Sequence, residues 1–462
     1  MRTTLFISAA SILALVAGCT DAGGDEGRMA SDQFEQVERA DSALTAEATL
    51  PASQVGSKLM IAGGNIPDDS PIIDRLIAEV GGKRHVRMLV IAAANGAPYE
   101  TFIDIRDAVA QRGVSKKRVT LAHIAAMDDE TTPDVDESTW ANGASEPEEV
   151  AKVKWANIVW LSGGDQLRLV NLMLDSAGND TPVQAALRQR LAEGGIIITG
   201  SSAGAAVMSD PMIGGGTSFG ALSNPLDPSC TSEEALCLAR GLGYVPTQYN
   251  AVVDQHFTQR GRFARLVRAL AAAERTNGWA VSENTGLLVD LNQGTAEVVG
   301  TEYEGFVTLV WREDAQQNHE QSGPPFLGDG YRISVLAVGD TYKLPTPDYP
   351  HGVASHPNEN DYYPPFSQYY GQPPIFTDAF GKDVLPDNIV AYFADGTAQA
   401  SGARVDSIGF VVNESGAANG FRLRFTAAPD SMVAWNDVVG YSMFDARLQI
   451  STISAQFTGV AP

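Results

Sequence analysis

The regular alternation of apolar strands with amphipathic helices after Lys58 constrains the fold of this chain more than any other feature. Strands are predicted at Lys58–Gly64, Arg87–Ala94, Val119–Ile124, Ala156–Leu161 and Ile196–Ile198. Helices are predicted at Ile72–Val80, Thr101–Gln111, Leu167–Leu174 and Pro182–Glu193. Strands that alternate with helices at this spacing indicate an α/β fold with a doubly wound, mostly parallel sheet. In such a sheet the functional site lies at the carboxyl ends of the strands.

The last of these strands leads directly into a glycine-rich turn, Gly200-Ser201-Ser202-Ala203-Gly204, and a helix-forming segment follows. This order of strand, tight turn and helix is that of a nucleophile elbow, in which the central serine projects from the tip of the sheet. The backbone N–H of the next residue, Ala203, is then free to stabilise an oxyanion. An ordinary βα turn fits the same five residues, because the chain has 45 glycines and such loops are frequent. A catalytic Ser202 therefore requires a base elsewhere in the chain.

A base and an acid follow two apolar strands downstream of the elbow. His256 ends the run that begins at Ala251, and Glu283 follows the strand that begins at Gly278. In a parallel sheet both side chains would lie at the same carboxyl edge as Ser202, within reach for general-base catalysis. The chain order of serine, histidine and acid differs from the order in the α/β-hydrolases, so that fold is excluded. The other five of the six histidines show no such pattern of partners.

Two further motifs at strand ends are candidates for substrate binding. Arg260, Arg262 and Arg265 begin an amphipathic helix after His256. They form either a solvated helix face or a clamp that binds a substrate carboxylate through paired hydrogen bonds. The segment Gly163-Gly164-Asp165-Gln166 is either a plain βα turn or a donor of backbone N–H groups to an oxyanion, with Gln166 holding a substrate amide.

The N-terminal segment is predicted to be a targeting signal. Arg2 supplies a positive charge, and the apolar stretch Leu5–Val16 is too short to span a bilayer as a mature helix. The sequence Leu15-Val16-Ala17-Gly18-Cys19 resembles the lipobox of bacterial lipoproteins, which predicts a signal peptide over residues 1–19, lipidation of Cys19, and export to the periplasm or cell surface. The alternative is an ordinary signal peptide that releases a secreted protein. Residues 20–50 are polar and are predicted to form a flexible tether.

The composition limits the partners and cofactors. The formal net charge of -24 argues against nucleic acid and anionic membrane surfaces as partners. Besides Cys19 the chain contains only Cys230 and Cys237, which are candidates for a local disulfide in an exported protein. No group of cysteines and histidines has the spacing of a zinc site, so we predict no metal and no other cofactor.

The domain organisation is predicted from changes in composition along the chain. Residues 51–345 form the predicted catalytic domain, which strands at Ala296–Val299, Val307–Trp311 and Tyr331–Val338 complete. Residues 346–377 are rich in proline and tyrosine and form a predicted linker, and no regular element is expected in Pro345–Pro374. Residues 378–462 form a β-rich region with strands at Asn388–Phe393, Ser407–Val412, Gly420–Thr426 and Gly440–Phe457. This region is either an accessory module or a β extension packed on the catalytic domain.

The succession of motifs resembles the cyanophycinase branch of the peptidase E-like serine peptidases, peptidase family S51. The resemblance rests on Gly163–Gln166, Gly200–Ala205, Asp254–Phe257 with the three arginines, and Gly278–Thr285, in one order within Lys58–Leu344. It implies a class I glutamine-amidotransferase-like (flavodoxin-like) fold and a catalytic triad of Ser202, His256 and Glu283. It also implies an oxyanion hole formed by Gly164, Asp165 and Ala203, and substrate contacts from Gln166, Asp254, Gln255, Arg260, Arg262 and Arg265.

Two features depart from the pattern of this family. Ser201 stands before the nucleophile where the family often has threonine. The insertion Gly214–Arg240 and the region after Pro345 have no counterpart in compact members. The substrate range is therefore less constrained than the reaction.

The function implied by the resemblance is that of an exported serine exopeptidase. It would hydrolyse cyanophycin, multi-L-arginyl-poly-L-aspartate, to β-Asp-Arg dipeptides through a covalent acyl-enzyme. Two alternatives remain open, a peptidase E-like aspartyl dipeptidase with the same fold and a non-catalytic lipoprotein that binds a polymer. Contact with a membrane is expected only through a lipid anchor, and a homodimer is also left open.

Overall fold

The computed structural model describes residues 55–132, 134–302, 304–313, 323–363, 375–376, 379–390, 393, 404–412, 417–436 and 440–456. These residues belong to one compact unit, Glu47–Pro462. The predicted signal peptide with Cys19 and the predicted tether lie outside the described residues. Within the described ranges, no helix has both the length and the apolar character needed to cross a membrane.

The strands of the described residues are, in chain order, β1 Ser57–Ala62, β2 Met88–Ile91, β3 Val119–Leu121, β4 Ile158–Leu161, β5 Ile196–Ser201, β6 Met212–Gly215, β7 Cys237–Ala239, β8 Ala251–Gln255, β9 Asn277–Val281, β10 Thr285–Asp290, β11 Thr295–Gly300 and β12 Phe306–Arg312. They continue with β13 Gly328–Ala337, β14 Thr341–Lys343, β15 Val353–Ser355, β16 Tyr362–Tyr363, β17 Ile375–Phe376, β18 Arg404–Val412, β19 Ala417–Thr426, β20 Met432–Asn436 and β21 Gly440–Gln456.

The α-helices are α1 Pro71–Glu79, α2 Pro98–Gln111, α3 Pro147–Trp155, α4 Gln166–Met173, α5 Pro182–Glu193, α6 Ala203–Ala206, α7 Ser218–Ser223 and α8 Phe263–Ala272. Two of them, α1 and α5, begin where the sequence supplies both a capping side chain and a proline. The Thr181 hydroxyl accepts a hydrogen bond from the N–H of Gln184, and Pro182 occupies the first turn of α5. Ser70 caps α1 in the same way, next to Pro71. A side-chain cap and a proline in the first turn together favour helix initiation.

The first sheet carries the parallel strands that the sequence predicts. Its strand order is β15-β14-β11-β10-β1-β5-β4-β2-β3. The pairs β1–β5, β5–β4, β4–β2 and β2–β3 are parallel, whereas β10 pairs with β1 in antiparallel orientation. Helices α1 and α2 cover one face, and α3, α4 and α5 pack on the other. The predicted α/β fold with a doubly wound parallel sheet is confirmed for β1 to β5, whereas the antiparallel strands β10, β11, β14 and β15 make the sheet as a whole mixed.

The second sheet combines strands of the predicted catalytic domain with strands of the C-terminal region. Its order is β17-β18-β19-β21-β13-β12-β9-β8, and β20 pairs with β21. Strands β8 and β9 are parallel, with Gln255 opposite Val281. The long strand β21 joins β13 to β19, so the C-terminal strands extend this sheet. Of the two alternatives for the C-terminal region, the structure shows the β extension packed on the predicted catalytic domain. The domain boundaries themselves remain a prediction.

The two sheets share a buried core. Leu287 and Val298 of the first sheet lie in the same cluster as Trp279 and Leu309 of the second. The opposite face of the second sheet is covered by α8, whose apolar residues pack on β8, β9 and β12. The residues of β8 and β9 are consequently buried on both sides.

Three expectations from the sequence are corrected. His256 and Glu283 follow β8 and β9, which belong to the second sheet and not to the sheet that carries Ser202. Apolar periodicity cannot show which sheet a strand belongs to, because a strand buried on both faces has the same continuous apolar pattern in either sheet. The predicted strand Asn388–Phe393 begins inside a π-helix, Leu385–Val390. Apolar side chains of this helix pack in the core between α8 and the second sheet. The segment Pro345–Pro374 contains β15 and β16.

The insertion Gly214–Arg240 forms a small substructure beside the elbow. Strands β6 and β7 pair as an antiparallel ribbon. Cys230 and Cys237 are joined by a disulfide, with their Cα atoms 5.1 Å apart. A cross-link over so short a loop restricts the unfolded chain and braces the ribbon.

Candidate active site

The elbow places Ser202 between β5 and α6 in a strained backbone conformation. Its φ and ψ are 55° and −111°, a region that residues with a side chain rarely adopt. A Cβ atom on Gly200 would lie 2.1 Å from the carbonyl oxygen of Gly204, and one on Gly204 would lie 2.3 Å from that of Leu161. Only glycine fits at both positions, so the turn closes beneath the serine and presents its hydroxyl at the sheet edge.

The structure brings the three predicted triad residues together. Ser202 Oγ lies 2.7 Å from His256 Nε2, and His256 Nδ1 lies 2.6 Å from Glu283 Oε1. Because the carboxylate can only accept at Nδ1, this nitrogen carries the proton and Nε2 keeps its lone pair. The hydroxyl of the serine therefore donates to a nitrogen that is able to remove its proton.

Three successive carbonyl groups at the end of β1 hold the backbone around the triad. The carbonyl of Ala62 accepts from the N–H of Ser202 at 3.1 Å. The carbonyl of Gly63 accepts from the N–H of His256 at 2.8 Å, and that of Gly64 from the N–H of Asn284 at 2.9 Å. The nucleophile belongs to the first sheet, whereas the base and the acid follow strands of the second. The end of β1 therefore joins the two sheets at the catalytic edge and sets the distances between the three side chains.

The environment of His256 favours the neutral imidazole. Its side chain is 7 % exposed, and burial lowers its pKa below the ordinary value. The hydrogen bond to Glu283 acts in the opposite direction, while the positive charges of Arg260 and Arg262 lower the pKa further. A histidine that is neutral near pH 7 is in the form that a general base requires.

Glu283 is held by groups that favour its ionised form. Burial alone would raise its pKa, but hydrogen bonds from His256 and Asn65 outweigh this effect, and the pKa is lowered. The side-chain amide of Asn65 donates to Glu283 Oε2 at 3.1 Å, on the side away from the imidazole. The backbone N–H of Glu283 donates to the side chain of Gln259 at 2.8 Å. The acid is therefore charged and fixed in orientation.

The predicted oxyanion hole keeps two of its three donors. The N–H of Asp165 donates to the carbonyl of Ala94 at 2.9 Å, and its carboxylate caps α4. Asp165 is thus not available as an oxyanion donor. The N–H groups of Gly164 and Ala203 make no hydrogen bond with any described residue. Gly163 adjoins Ser202, since a Cβ atom on Gly163 would lie 3.2 Å from the Cβ atom of the serine. An oxyanion hole formed by the N–H groups of Gly164 and Ala203 remains a prediction.

Three of the predicted substrate-binding residues instead support the wall of the site. Arg265 and Asp254 form a bidentate ion pair whose side chains are only 5 % and 1 % exposed. Arg265 also donates to the carbonyl of Gly216 at 2.7 Å, and Gln166 donates to that of Gly214 at 2.6 Å. These contacts attach the disulfide-braced insertion to the site. Direct contact of Asp254 or Arg265 with a substrate is not supported, because each is buried and already paired.

The remaining predicted substrate-binding residues differ in whether their side chains are already hydrogen-bonded within the protein. Arg262 donates to the backbone and side-chain oxygens of Gln255 at 2.5 and 2.7 Å. Burial and the neighbouring cation Arg265 lower the pKa of Arg262 to about 9. Arg260 is exposed and its guanidinium forms no hydrogen bond with a described residue. It lies close enough to the triad to influence both His256 and Glu283, so Arg260 is the available cation at the mouth of the site.

Sequence reasoning missed the residues that orient the acid and the base. Asn65 and Gln259 contact Glu283, and Gly64 approaches His256 so closely that a Cβ would lie 2.3 Å from the ring carbon Cε1. A signal was present for two of them, because Gly64 and Asn65 directly follow the first predicted strand at the carboxyl edge. No pattern pointed to Gln259, whose role depends on the path of the chain after β8.

The site has the geometry of a Ser-His-carboxylate triad, and it lies on an α/β fold that C-terminal strands extend. Residues 141–296 match the model of peptidase family S51. The matched region includes the elbow, His256 and Glu283. The family resemblance deduced from the motifs is confirmed.

Curated relatives of this chain are cyanophycinases. Those of Trichormus variabilis and of a Nostoc species are each 35% identical over 189 residues, which cover 40% of this chain and 56% of the relative. The cyanophycinase of Synechococcus elongatus is 34% identical over 211 residues, which cover 45% of this chain and 59% of the relative. The chain therefore spans a little over half the length of the curated relatives it matches.

Solved structures show weaker likeness. A peptidase from an acI-B1 Actinobacterium is 18% identical with a TM-score of 0.38, covering 55% of this chain and 90% of that chain. A putative peptidase E protein from Listeria monocytogenes EGD-e is 12% identical with a TM-score of 0.34, covering 54% of this chain and 100% of that chain. The assignment of the fold rests on the sheet topology of the chain itself.

Proposed function

We propose that this protein is an exported serine exopeptidase that hydrolyses cyanophycin to β-Asp-Arg dipeptides. The observation that carries the proposal is the continuous hydrogen-bonded series from Ser202 through His256 to Glu283, on an elbow that strains the serine. The named activity of the curated relatives supplies the substrate class.

The reaction would proceed through an acyl-enzyme. Ser202 Oγ attacks the carbonyl carbon of the scissile backbone amide, while His256 Nε2 takes the hydroxyl proton. The oxyanion of the tetrahedral intermediate receives hydrogen bonds from the N–H groups of Gly164 and Ala203. The C–N bond then breaks, and the imidazolium returns its proton to the leaving amine. Water repeats the sequence on the ester, with His256 again as base, and releases the acid product and free serine.

Glu283 acts by charge and by orientation. It accepts the Nδ1 proton of His256, which keeps the lone pair on Nε2, and it stabilises the imidazolium that forms in each step. Asn65 restrains the carboxylate on its other oxygen, so the carboxylate does not rotate as the charge on the imidazole changes.

The charges around the site suit the substrate. Each β-Asp-Arg unit carries an arginine α-carboxylate, and a C-terminal unit also carries the free carboxylate of the backbone. Arg260 is exposed at the mouth and is the favoured partner for one of these carboxylates. Arg262, held by Gln255, would add positive charge behind it. Gln166 is committed to the insertion and contributes by shaping the wall.

Export is part of the proposal and rests on sequence alone. The apolar segment Leu5–Val16 followed by the lipobox-like sequence ending at Cys19 supports a lipoprotein signal. An exported enzyme would act on polymer released by other cells. Radiolabelled palmitate incorporation that is lost in Cys19→Ala would support the anchor, and an unlabelled parent protein would contradict it.

The test of the activity uses purified protein and insoluble cyanophycin. We expect clearing of the suspension with release of β-Asp-Arg, and loss of at least about a thousandfold in rate for Ser202→Ala. Ser201→Ala is the matched control, because it changes the adjacent serine and should retain most of the rate. Clearing by Ser202→Ala, or no clearing by the parent, refutes the proposal. Faster turnover of α-aspartyl dipeptides than of the polymer would identify an aspartyl dipeptidase, and binding without hydrolysis would identify a polymer-binding lipoprotein.

A further inference from the structure

A cleft of about 70 Å³ lies between the two sheets, and Ser202, His256 and Glu283 are not among the residues that line it. Its walls come from both sheets and include Trp279, Trp311, Ser334, Tyr342, His351 and Asp445. Its lining includes the first three residues of β9, Asn277 to Trp279, whereas Glu283 follows the carboxyl end of the same strand. Trp279 is the lining residue of β9 nearest to Glu283 in sequence, and at ~3.3 Å per residue the four steps between them span up to about 13 Å. The cleft is therefore distinct from the catalytic centre.

Asp445 projects into this cleft from an irregular position in β21. The pairing of β13 with β21 shifts register between the pairs Ile333–Ala446 and Val335–Met443, and Asp445 has a positive φ of 58°. Such a bulge redirects a side chain out of the regular alternation of the strand. The backbone N–H of Asp445 is held by the hydroxyl of Ser334 at 3.0 Å, which fixes the bulge.

The carboxylate of Asp445 lacks a partner in the described part of the chain. It forms neither a hydrogen bond nor an ion pair there, and burial raises its pKa. The nearby cation, Arg332, is already bound to Glu313 at 2.8 Å and to Asp430 at 2.7 Å. Arg332 thus makes direct ion pairs with Glu313 and Asp430, and it acts on Asp445 only through space. A partly buried carboxylate without compensation costs free energy that a bound cation would recover.

The remaining walls are aromatic and include an unsatisfied ring nitrogen. The rings of Trp311 and His351 stack at 4.3 Å, and Tyr342 donates its hydroxyl to the carbonyl of His351 at 2.8 Å. The guanidinium of Arg332 lies 5.8 Å from the centre of the Trp311 ring, within the range of a cation–π contact. Nδ1 of His351 is buried without a hydrogen-bond partner among the described residues. Burial lowers the pKa of this histidine, so it adds no positive charge near pH 7.

We propose that this cleft binds an alkylguanidinium cation, with the carboxylate of Asp445 as its counter-ion and the aromatic walls around it. A guanidinium matches a carboxylate through two parallel hydrogen bonds and stacks on aromatic faces, which an ammonium group does less well. The assignment of this cation to an arginine side chain of the polymer rests on the proposed function. The cleft would then hold the polymer at a second point, remote from the bond that is cleaved.

The binding test uses the full protein with Ser202→Ala, so that no turnover occurs. Titration with 1-butylguanidinium chloride, followed by tryptophan fluorescence and calorimetry, should show saturable binding. Asp445→Asn should weaken it at least tenfold, and asparagine tolerates the positive φ, so the bulge is kept. Asp348→Asn, an exposed aspartate outside the cleft, is the matched control and should change the affinity less than twofold. Absence of saturable binding, an unchanged affinity in Asp445→Asn with an intact thermal transition, or equal affinity for butylammonium would each overturn the proposal.

A second arm identifies the source of the cation. Retention of the Ser202→Ala protein on insoluble cyanophycin should fall at least tenfold when Asp445→Asn is added. Binding of 1-butylguanidinium that depends on Asp445, combined with unchanged retention, would overturn the polymer assignment. The proposed peptidase function is tested separately, because failure of the parent protein to release dipeptides would leave the outcome of the titration unaffected.

Discussion

Replacement of Glu283 by glutamine is the sharpest test of the triad, because the surroundings dictate how the new amide must lie. Glu283 accepts two hydrogen bonds, from His256 on Oε1 and from Asn65 on Oε2. Glutamine offers one oxygen and one NH2 group in place of the two oxygens. If its oxygen faces the amide of Asn65, its NH2 group faces Nδ1 of the imidazole.

An NH2 group at Nδ1 forces the wrong tautomer on His256. Nδ1 must then accept, the ring proton moves to Nε2, and Nε2 can no longer take the proton of Ser202. Loss of the correct tautomer in a comparable triad lowers kcat by about ten-thousandfold. Since the glutamine can rotate at some cost, we expect a loss of about a thousandfold to ten-thousandfold, or about 4 to 5.5 kcal/mol in the activation free energy.

The assay measures initial rates of β-Asp-Arg release, with the thermal unfolding transition as the control for folding. Because the side chain keeps its shape, the transition of Glu283→Gln should stay close to that of the parent. The added change Asn65→Ala provides a rescue, since the glutamine oxygen is then free to turn toward Nδ1. We expect the double variant to recover about tenfold over Glu283→Gln alone. A rate within tenfold of the parent for Glu283→Gln, or a double variant no faster than the single one, would refute this reasoning.

Two other predictions concern the base and the buried ion pair. The acid limb of the pH profile of kcat/KM should have its midpoint below 6.5, the ordinary pKa of histidine, because His256 must be neutral to act and its pKa is lowered in the fold. Arg260→Ala should move that midpoint upward, since it removes a cation that lowers this pKa, and a midpoint above 6.5 in the parent would contradict the assignment. Asp254→Asn should lower the free energy of unfolding by about 3–5 kcal/mol, because it leaves Arg265 buried without a counter-ion. The comparison in chemical denaturation is Asp74→Asn, which breaks an ion pair on a 60 % exposed aspartate and should cost less than about 1 kcal/mol. Equal losses for the two variants would show that the buried pair has no special structural role.

Much of the fold and part of the site can be read from local sequence. The helix starts at Ser70-Pro71 and Thr181-Pro182 are local signals, and so is the succession of strand, glycine turn and helix around Ser202. The residues before each functional side chain are apolar, so their strands are predicted correctly and their ends point to the catalytic edge. The predicted strand at Asn388–Phe393 is wrong because it too is inferred from local sequence. A short apolar run in a buried π-helix has the same local pattern as a short buried strand.

Partners of long-range contacts cannot be read in this way, because they depend on how distant segments pack. Arg265 and Asp254 look like substrate-binding residues in sequence, yet in the fold they neutralise each other and hold the insertion. Asp165 has the right position for an oxyanion donor, but its N–H is taken by Ala94. A buried polar group forms its hydrogen bond with the partner that tertiary packing brings near. The distance along the sequence does not identify that partner.

Local patterns along the chain are sufficient for the α/β class, the resemblance to peptidase family S51, and the three residues that follow buried strands. The assembled fold adds that the base and the acid come from a second sheet, which the C-terminal strands extend. It also adds that three carbonyl groups at the end of β1 bring Ser202 and His256 to within hydrogen-bonding distance. The physical reason is that apolar patterning specifies burial, whereas backbone hydrogen bonds between distant strands specify position.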